Sequence, residues 1–378
     1  MYYFDYAATT PVSTEVANAM VYALTEEFGN PSAQYPFGQS AKNAVAQHRA
    51  AIAGALGCNA EDLFFTSCGT ESDNWAIRAA LHFARHKGKH IITTAVEHSA
   101  VLELCKVLQT QGYEVTYLKP NRAGQITADQ VEDALREDTA LVSVMSVNNE
   151  TGNIYPITEI SKALKAHHSA ALLHTDAVQA FLKIPINAKD YGADLISLSA
   201  HKIGGPKGIG ALYVSPNMQN KLIPLLYGGG QEKGMRPGTE ATAQIAGFAK
   251  ATVLRQSKLD EILSHTAAMQ AYAKERLFSI PTVKPVGTAD APHILSLTLP
   301  GYPSQNIVGE LGAQGICLSA GSACHKGKPS HVVSALGLSK KEAAGVIRVS
   351  FGEETTKESI DVLYDALLAH KNTRFPML

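Results

Sequence analysis

The sequence is poor in three things: long apolar runs, an excess of charge of either sign, and paired cysteines. No stretch approaches the ~20 apolar residues that span a bilayer, so no membrane protein is expected. The 33 basic residues against 34 acidic ones leave a net charge of -1. A nucleic-acid binder normally carries a clear basic excess, so that class is disfavoured too. The five cysteines, Cys58, Cys68, Cys105, Cys317 and Cys324, are odd in number, and no two have C-x-x-C spacing. That argues against a disulfide framework or a structural zinc and for a reducing, cytoplasmic compartment; no metal site is expected. Cys58, Cys105 and Cys317 read as small structural residues. The opening Met-Tyr-Tyr-Phe-Asp-Tyr lacks the basic and apolar regions of a secretory signal.

What is present is the pattern of a compact enzyme. The 378 residues suffice for two domains at roughly 100–200 residues each. Residues 40–57 carry an amphipathic helix pattern, with Ser40 as a cap and Gly57 as a stop. Short apolar strands then alternate with helices: 63–66, 91–94, 114–118, 141–147, 171–174, 195–198 and 211–214. Pro156 fits the first turn of one of those helices. This alternation predicts an α/β domain with a mostly parallel sheet flanked by helices. From about residue 251 the pattern changes to a long helix (about 240–278), strands at 293–299, 316–319 and 347–351, and a terminal helix. A smaller α+β domain is expected there. The division is a large domain over 13–250 and a small one from 1–12 and 251–378.

Ligands of such sheets sit at the carboxyl ends of the strands. Four polar groups fall there. Thr70 follows Gly69 where a strand turns into a helix, and the free N–H groups of that helix end suit a phosphate. Taken alone, Thr70 reads more simply as an ordinary cap. Asp176 ends a buried strand, which is costly for an acid unless it is paired or functional. A protonated pyridinium nitrogen would be a natural partner, and Gln179 lies three residues on. Lys202 follows the 195–198 strand. A lysine so placed is paired or used covalently, for instance as a Schiff base with an aldehyde cofactor. Ser199 and His201 flank it within reach of a phosphate. His98, in Val-Glu-His-Ser-Ala, could stack on a flat ring and move protons, although a satisfied core histidine is the duller reading. The glycine-rich run 204–210 does not open a helix after a strand, so it is no dinucleotide fingerprint.

Longer motifs carry the reading further. They are Asp5-Tyr6-Ala7-Ala8-Thr9-Thr10-Pro11, Gly29-Asn30-Pro31-Ser32, Thr70-Glu71-Ser72, Glu97-His98, Asn148-Asn149-Glu150-Thr151-Gly152, Asp176-Ala177-Val178-Gln179, Ser199-Ala200-His201-Lys202, Gly234-Met235-Arg236-Pro237-Gly238-Thr239 and Gly321-Ser322-Ala323-Cys324. In order and spacing they closely resemble the NifS/IscS-type cysteine desulfurases. These form part of the class V aminotransferase branch of fold-type I pyridoxal-phosphate enzymes. The resemblance runs from about residue 2 to residue 365.

It implies pyridoxal 5'-phosphate as cofactor, bound covalently by Lys202, with Asp176 on the pyridine nitrogen and Gln179 on the ring hydroxyl. It implies that His98 stacks on the ring, and that Gly69, Thr70, Ser199 and His201 hold the phosphate, with Thr239 reaching it from the other subunit of a homodimer. Asn149 and Arg348 would take the carboxylate of L-cysteine. Cys324 would be the nucleophile that becomes a persulfide, for delivery to a sulfur-acceptor protein in iron–sulfur cluster assembly or thiolation. Selenocysteine lyase, or another reaction of the same fold, is the alternative activity. Two departures stand out. After Cys324 the chain is about two residues shorter than the housekeeping members, which shortens the reach of that segment by ~3.3–3.6 Å per residue. The segment is also basic (His325, Lys326, Lys328), which favours a thiolate. The second departure is Glu353, where many relatives carry Arg.

Overall fold

The computed structural model describes residues 1–320 and 330–377. Its centre is a seven-stranded sheet in the order 63–66, 210–214, 195–199, 172–176, 139–143, 90–94, 114–118. Only Gly210–Val214 runs antiparallel to its neighbours; the other pairs are parallel. The strands are apolar on both faces because both faces are covered. Leu63, Phe65, Ile92, Val142, Leu173 and Ile196 join one core cluster. Their chain neighbours Phe64, Ile91, Leu141, Leu172 and Leu195 join a second, with Trp75. Successive side chains of a strand point to opposite faces, so continuous hydrophobic runs fill both. Each fully buried side chain of this size stabilises the fold by about 1.5–3 kcal/mol.

Local chemistry accounts for where elements begin and end, including where the sequence pattern misled. The first long helix is Pro36–Leu56, not 40–57. Pro36 starts it, with φ pre-set for a first turn, and Ser40 lies inside it. Gly57 does end it, in a left-handed conformation (φ 78°) that favours glycine. The expected strand 141–147 is Thr139–Ser143. Beyond it the chain leaves the ladder, and the backbone N–H of Met145 turns to the buried carboxylate of Glu97 instead. Pro156 is the cap before the helix Ile157–Ala166 rather than its first residue. The long helical stretch is two helices, Thr242–Ser257 and Leu259–Phe278, broken at Lys258. The first of them packs on the helices Thr14–Thr25 and Pro36–Leu56. Residues 250 and 251 both lie in the helix Thr242–Ser257.

A smaller antiparallel sheet, in the order 319–320, 346–350, 294–298, 284–285, lies beyond. Leu295, Leu297, Ile347 and Val349 face its own core with Phe4, Leu363 and Leu367. Period-two alternation then puts Ser296 and Arg348, paired in register, on the other face. The predicted strand 316–319 is two short pieces. Ile316–Cys317 pairs with Tyr2–Tyr3, and Ser319–Ala320 pairs with the 346–350 strand. The N-terminal segment thus starts in a separate two-stranded sheet, bridges Asp5 to Ser350 of the small sheet, and then meets the turn after the 195–199 strand, where the Thr10 N–H donates to the His201 carbonyl.

Candidate functional site

The parallel strands end along one edge of the large sheet, and a cavity of about 310 Å³ opens there. Gly69, Thr70, His98, Asn149, Asp176, Gln179, Ser199, His201, Lys202 and Arg348 all line it. Ten side chains or turns singled out from the sequence therefore meet in one place. Thr239 is exposed and does not line it. Cys324 lies outside the described residues.

Each group is placed by the element that ends beneath it. Asp176 is the last residue of its strand, buried, and accepts the backbone N–H of Val178 at 2.9 Å. Burial, then the nearby Asp73 carboxylate, push it well above the usual carboxylate range; the His98 imidazole opposes this. Ser199 ends the adjacent strand, and its buried hydroxyl has no hydrogen-bond partner among the described residues. The helix Gly69–Phe83 starts beside it, with Cys68 as a cap whose side chain makes no capping bond. Its first N–H groups are available to an anion, and the helix dipole favours negative charge there. A Cβ on Gly69 would come within 2.9 Å of Val178 and 3.8 Å of Ser199, so glycine is what allows this approach. His98 caps the helix Ser99–Thr110, accepting the N–H of Ala100 at 3.2 Å, and is exposed.

Lys202 sits in the short turn after Ser199. Its Nζ donates to the carbonyls of Ala7 (2.8 Å) and Ala8 (2.7 Å), with no carboxylate partner among the described residues. Gln179 donates to the same Ala7 carbonyl at 2.8 Å. Burial, then the Arg348 charge, bring the Lys202 amine down to about 8. An amine near that value is partly free base at neutral pH and able to act as nucleophile or base. Burial also lowers His201, to about 4, which leaves a neutral ring.

Arg348 is fixed rather than loose. One terminal nitrogen donates to the Asn149 carbonyl (2.7 Å), the other to Asp5 (2.8 Å) and Ser319 (3.0 Å). Its buried Nε has no partner among the described residues. A guanidinium held in this way in the cavity lining is suited to a carboxylate.

Three contributions were not anticipated from the sequence. The carbonyls of Ala7 and Ala8 hold Lys202, and only the path of the N-terminal strap reveals them. Asp73 lines the cavity from one turn beyond Thr70, with burial raising it to about 7. A helical i,i+3 reading of Thr-Glu-Ser-Asp could have found it. Glu97, raised by burial to about 8, ties Thr94 to Met145 and so holds the turn that carries His98.

The fold and this strand-end site define an enzyme of the fold-type I pyridoxal-phosphate class. The aminotransferase class-V family model matches residues 2–363, and the chain belongs to that family. It is 42% identical over 363 residues to a protein of Methanosarcina thermophila named cysteine desulfurase IscS, covering 95% of this chain and 89% of that one. Among solved structures it superposes on a NifS-like protein with a TM-score of 0.92 at 32% identity, covering 98% and 99% of the two chains. It also superposes on a structure described as SspA in complex with cysteine, with a TM-score of 0.80 at 36% identity, covering 94% and 100%.

Members of this family depend on pyridoxal phosphate. The residues present fit that group. An orphaned buried hydroxyl and a bare helix N-terminus suit its phosphate, a buried acid suits its ring nitrogen, and a carboxylate-free amine suits its aldehyde.

Proposed function

We propose that the protein is a cysteine desulfurase that converts L-cysteine to L-alanine and leaves a persulfide on Cys324. The observation that carries this reading is Lys202, a lysine held by two carbonyls and lowered to about 8 in a cavity shared with Asp176 and the orphaned Ser199 hydroxyl. The relatives' names, and the cysteine in the SspA structure, support cysteine as substrate.

In this proposal Lys202 holds the cofactor, Gly69, Thr70, Ser199 and His201 bind its phosphate, Asp176 keeps its ring nitrogen protonated, Gln179 contacts its hydroxyl, and His98 covers its face. The bound cofactor supplies an electron sink for negative charge at the substrate Cα. The remaining steps belong to the protein. Arg348 and Asn149, both in the cavity lining, orient the substrate carboxylate. Lys202, as free amine, takes the Cα proton. Cys324 attacks as a thiolate: its S–S bond forms as the substrate C–S bond breaks, and protonation of the carbon product gives alanine. The sulfur then passes to an acceptor protein of iron–sulfur assembly or thiolation.

We further propose a homodimer in which exposed Thr239 reaches the partner's phosphate site, and a cytoplasmic location. The location is supported by four described cysteines, all free. No described helix is long and apolar enough to cross a membrane.

The test is mass spectrometry of the holoenzyme after exposure to L-cysteine, with alanine measured in parallel. A sulfur adduct on Cys324 is expected, absent from Cys324→Ala. Undiminished alanine and sulfide from Cys324→Ala would overturn the persulfide mechanism. Sedimentation of the holoenzyme tests the dimer.

A further inference from the structure

A second cavity, of about 260 Å³, adjoins the first; of the residues lining the two, Lys202 is the one they share. Its buried end carries Lys183 and His293, each 3% exposed, and the partly buried Arg255. Its walls include Ile203, Leu254 and Phe351, and its rim is exposed.

The polar groups at the buried end are short of partners. Both ring nitrogens of His293 lack a hydrogen bond among the described residues. Lys183 has one among the described residues, from Nζ to Gln179 Oε1 at 2.9 Å, whereas an ammonium has three donors. Arg255 uses Nε on the Leu182 carbonyl (2.7 Å) and Nη1 on Glu353 (3.0 Å). Buried polar groups without partners are costly, so a site built this way calls for something to fill it.

The charges say what kind of filler. Arg255 is balanced by Glu353 and Arg348 by Asp5. Lys183 has no carboxylate partner among the described ion pairs. Burial and the surrounding cations Arg255, Lys202 and Arg348 push the Lys183 amine far down, and burial with Lys183, Arg255 and Arg348 does the same to His293. The carboxylates that line the cavity, Glu15, Glu353 and Glu354, are exposed at its rim, and none forms a described ion pair with Lys183 or His293 at the buried end.

We propose that this cavity binds a small monocarboxylate, with its oxygens between Lys183, His293 and Arg255 and its short alkyl part against Ile203, Leu254 and Phe351. A carboxylate beside Nζ lets Lys183 bind the proton that burial and the neighbouring cations otherwise drive off, so one anion and one proton enter together. The neutral imidazole supplies one N–H donor to the carboxylate. The apolar walls favour an organic anion over an inorganic one. The site does not depend on the desulfurase reading, since none of these residues except Lys202 is assigned to that reaction.

The test uses holoenzyme and propanoate, with sodium chloride at equal ionic strength as control. A saturable rise in thermal midpoint is expected with propanoate. Arg348→Lys, which alters the cysteine carboxylate site, should keep that rise. Lys183→Met and His293→Leu should each weaken it about tenfold, the loss of one charged or buried hydrogen bond. Crystals soaked in propanoate should show the carboxylate beside Lys183. Curves for both variants that coincide with wild type, or a cavity holding water alone in the soaked crystals, would overturn the proposal. If Lys183→Met does not fold, His293→Leu decides.

Discussion

Asp5 and Arg348, 343 positions apart in the chain, form a 2.8 Å ion pair at the wall of the strand-end cavity. The pair exists because the N-terminal strap bridges Asp5 to Ser350 on the small sheet. With the Asn149 carbonyl it holds the terminal nitrogens of the guanidinium, while the buried Nε has no partner among the described residues. Asp5→Asn keeps the shape and removes the charge. A loosened Arg348 binds a carboxylate less well, so KM for cysteine should rise about tenfold while kcat changes little, the pattern of lost uniform binding. Asn still accepts a hydrogen bond through Oδ1, so stability should fall by less than the ~1.5–3 kcal/mol that a hydrogen bond to a charged group is worth. Steady-state kinetics and urea melts check both. An unchanged KM would remove Arg348 from the carboxylate site.

Lys202 carries a pH prediction. Its amine lies at about 8, below the ordinary lysine value of 10.5, because of burial and Arg348. Only the free amine attacks an aldehyde. The rate at which cofactor-free protein takes up pyridoxal phosphate, followed by absorbance, should rise about tenfold per pH unit below pH 8 and level off above it. A lowered lysine also makes the unfolded state the better proton binder between about pH 8 and 10.5. Cofactor-free wild type should therefore gain stability over that window relative to Lys202→Met. Uptake that climbs steadily to pH 10 would contradict the lowered amine.

Much of this site was legible because strand ends are. Apolar runs mark the strands, and polar residues just past Thr66, Asp176 and Ser199 stand out against them. Long-range partners were not legible. Nothing in Ala7-Ala8 announces that its carbonyls hold Lys202, since backbone groups carry no residue signature. Glu97 stands in the sequence only as the neighbour of His98, and its role shows once Met145 is seen leaving its strand to meet it. Ser40 misled because a capping residue is also tolerated inside a helix, while Pro36 set the start. The 240–278 stretch read as one helix because the break at Lys258 involves neither glycine nor proline.

Ser199 yields effects of opposite sign in the two states of the protein. Its hydroxyl is buried and without a partner among the described residues. Ser199→Ala removes that unsatisfied group, so the cofactor-free protein should be as stable as wild type or up to about 1 kcal/mol more stable. The same change removes a phosphate donor in the proposed site, so cofactor affinity should fall about tenfold. Melting of the cofactor-free form and absorbance titration with pyridoxal phosphate read the two separately. A variant destabilised without cofactor, yet binding it normally, would make Ser199 a structural residue only.

Asp73 and Asp176 share one buried wall. Burial raises Asp73 to about 7, partly offset by a hydrogen bond from Ser197, and the Asp73 charge helps to raise Asp176. A buried acid raised in this way binds a proton in the folded state at pH values where the unfolded chain has lost it. Between the unfolded value of 3.8 and about 7, stability then falls as pH rises. Asp73→Asn removes its own share of that loss and relieves Asp176 of a like charge. The cofactor-free variant should match wild type near pH 4, where both acids are protonated, and exceed it increasingly towards pH 8. With cofactor bound, a pyridinium beside Asp176 supplies the missing positive charge, so the advantage of the variant should shrink. Thermal midpoints across pH, with and without pyridoxal phosphate, measure both differences. A difference independent of pH would mean that Asp73 acts through packing and that its charge plays no part in the site.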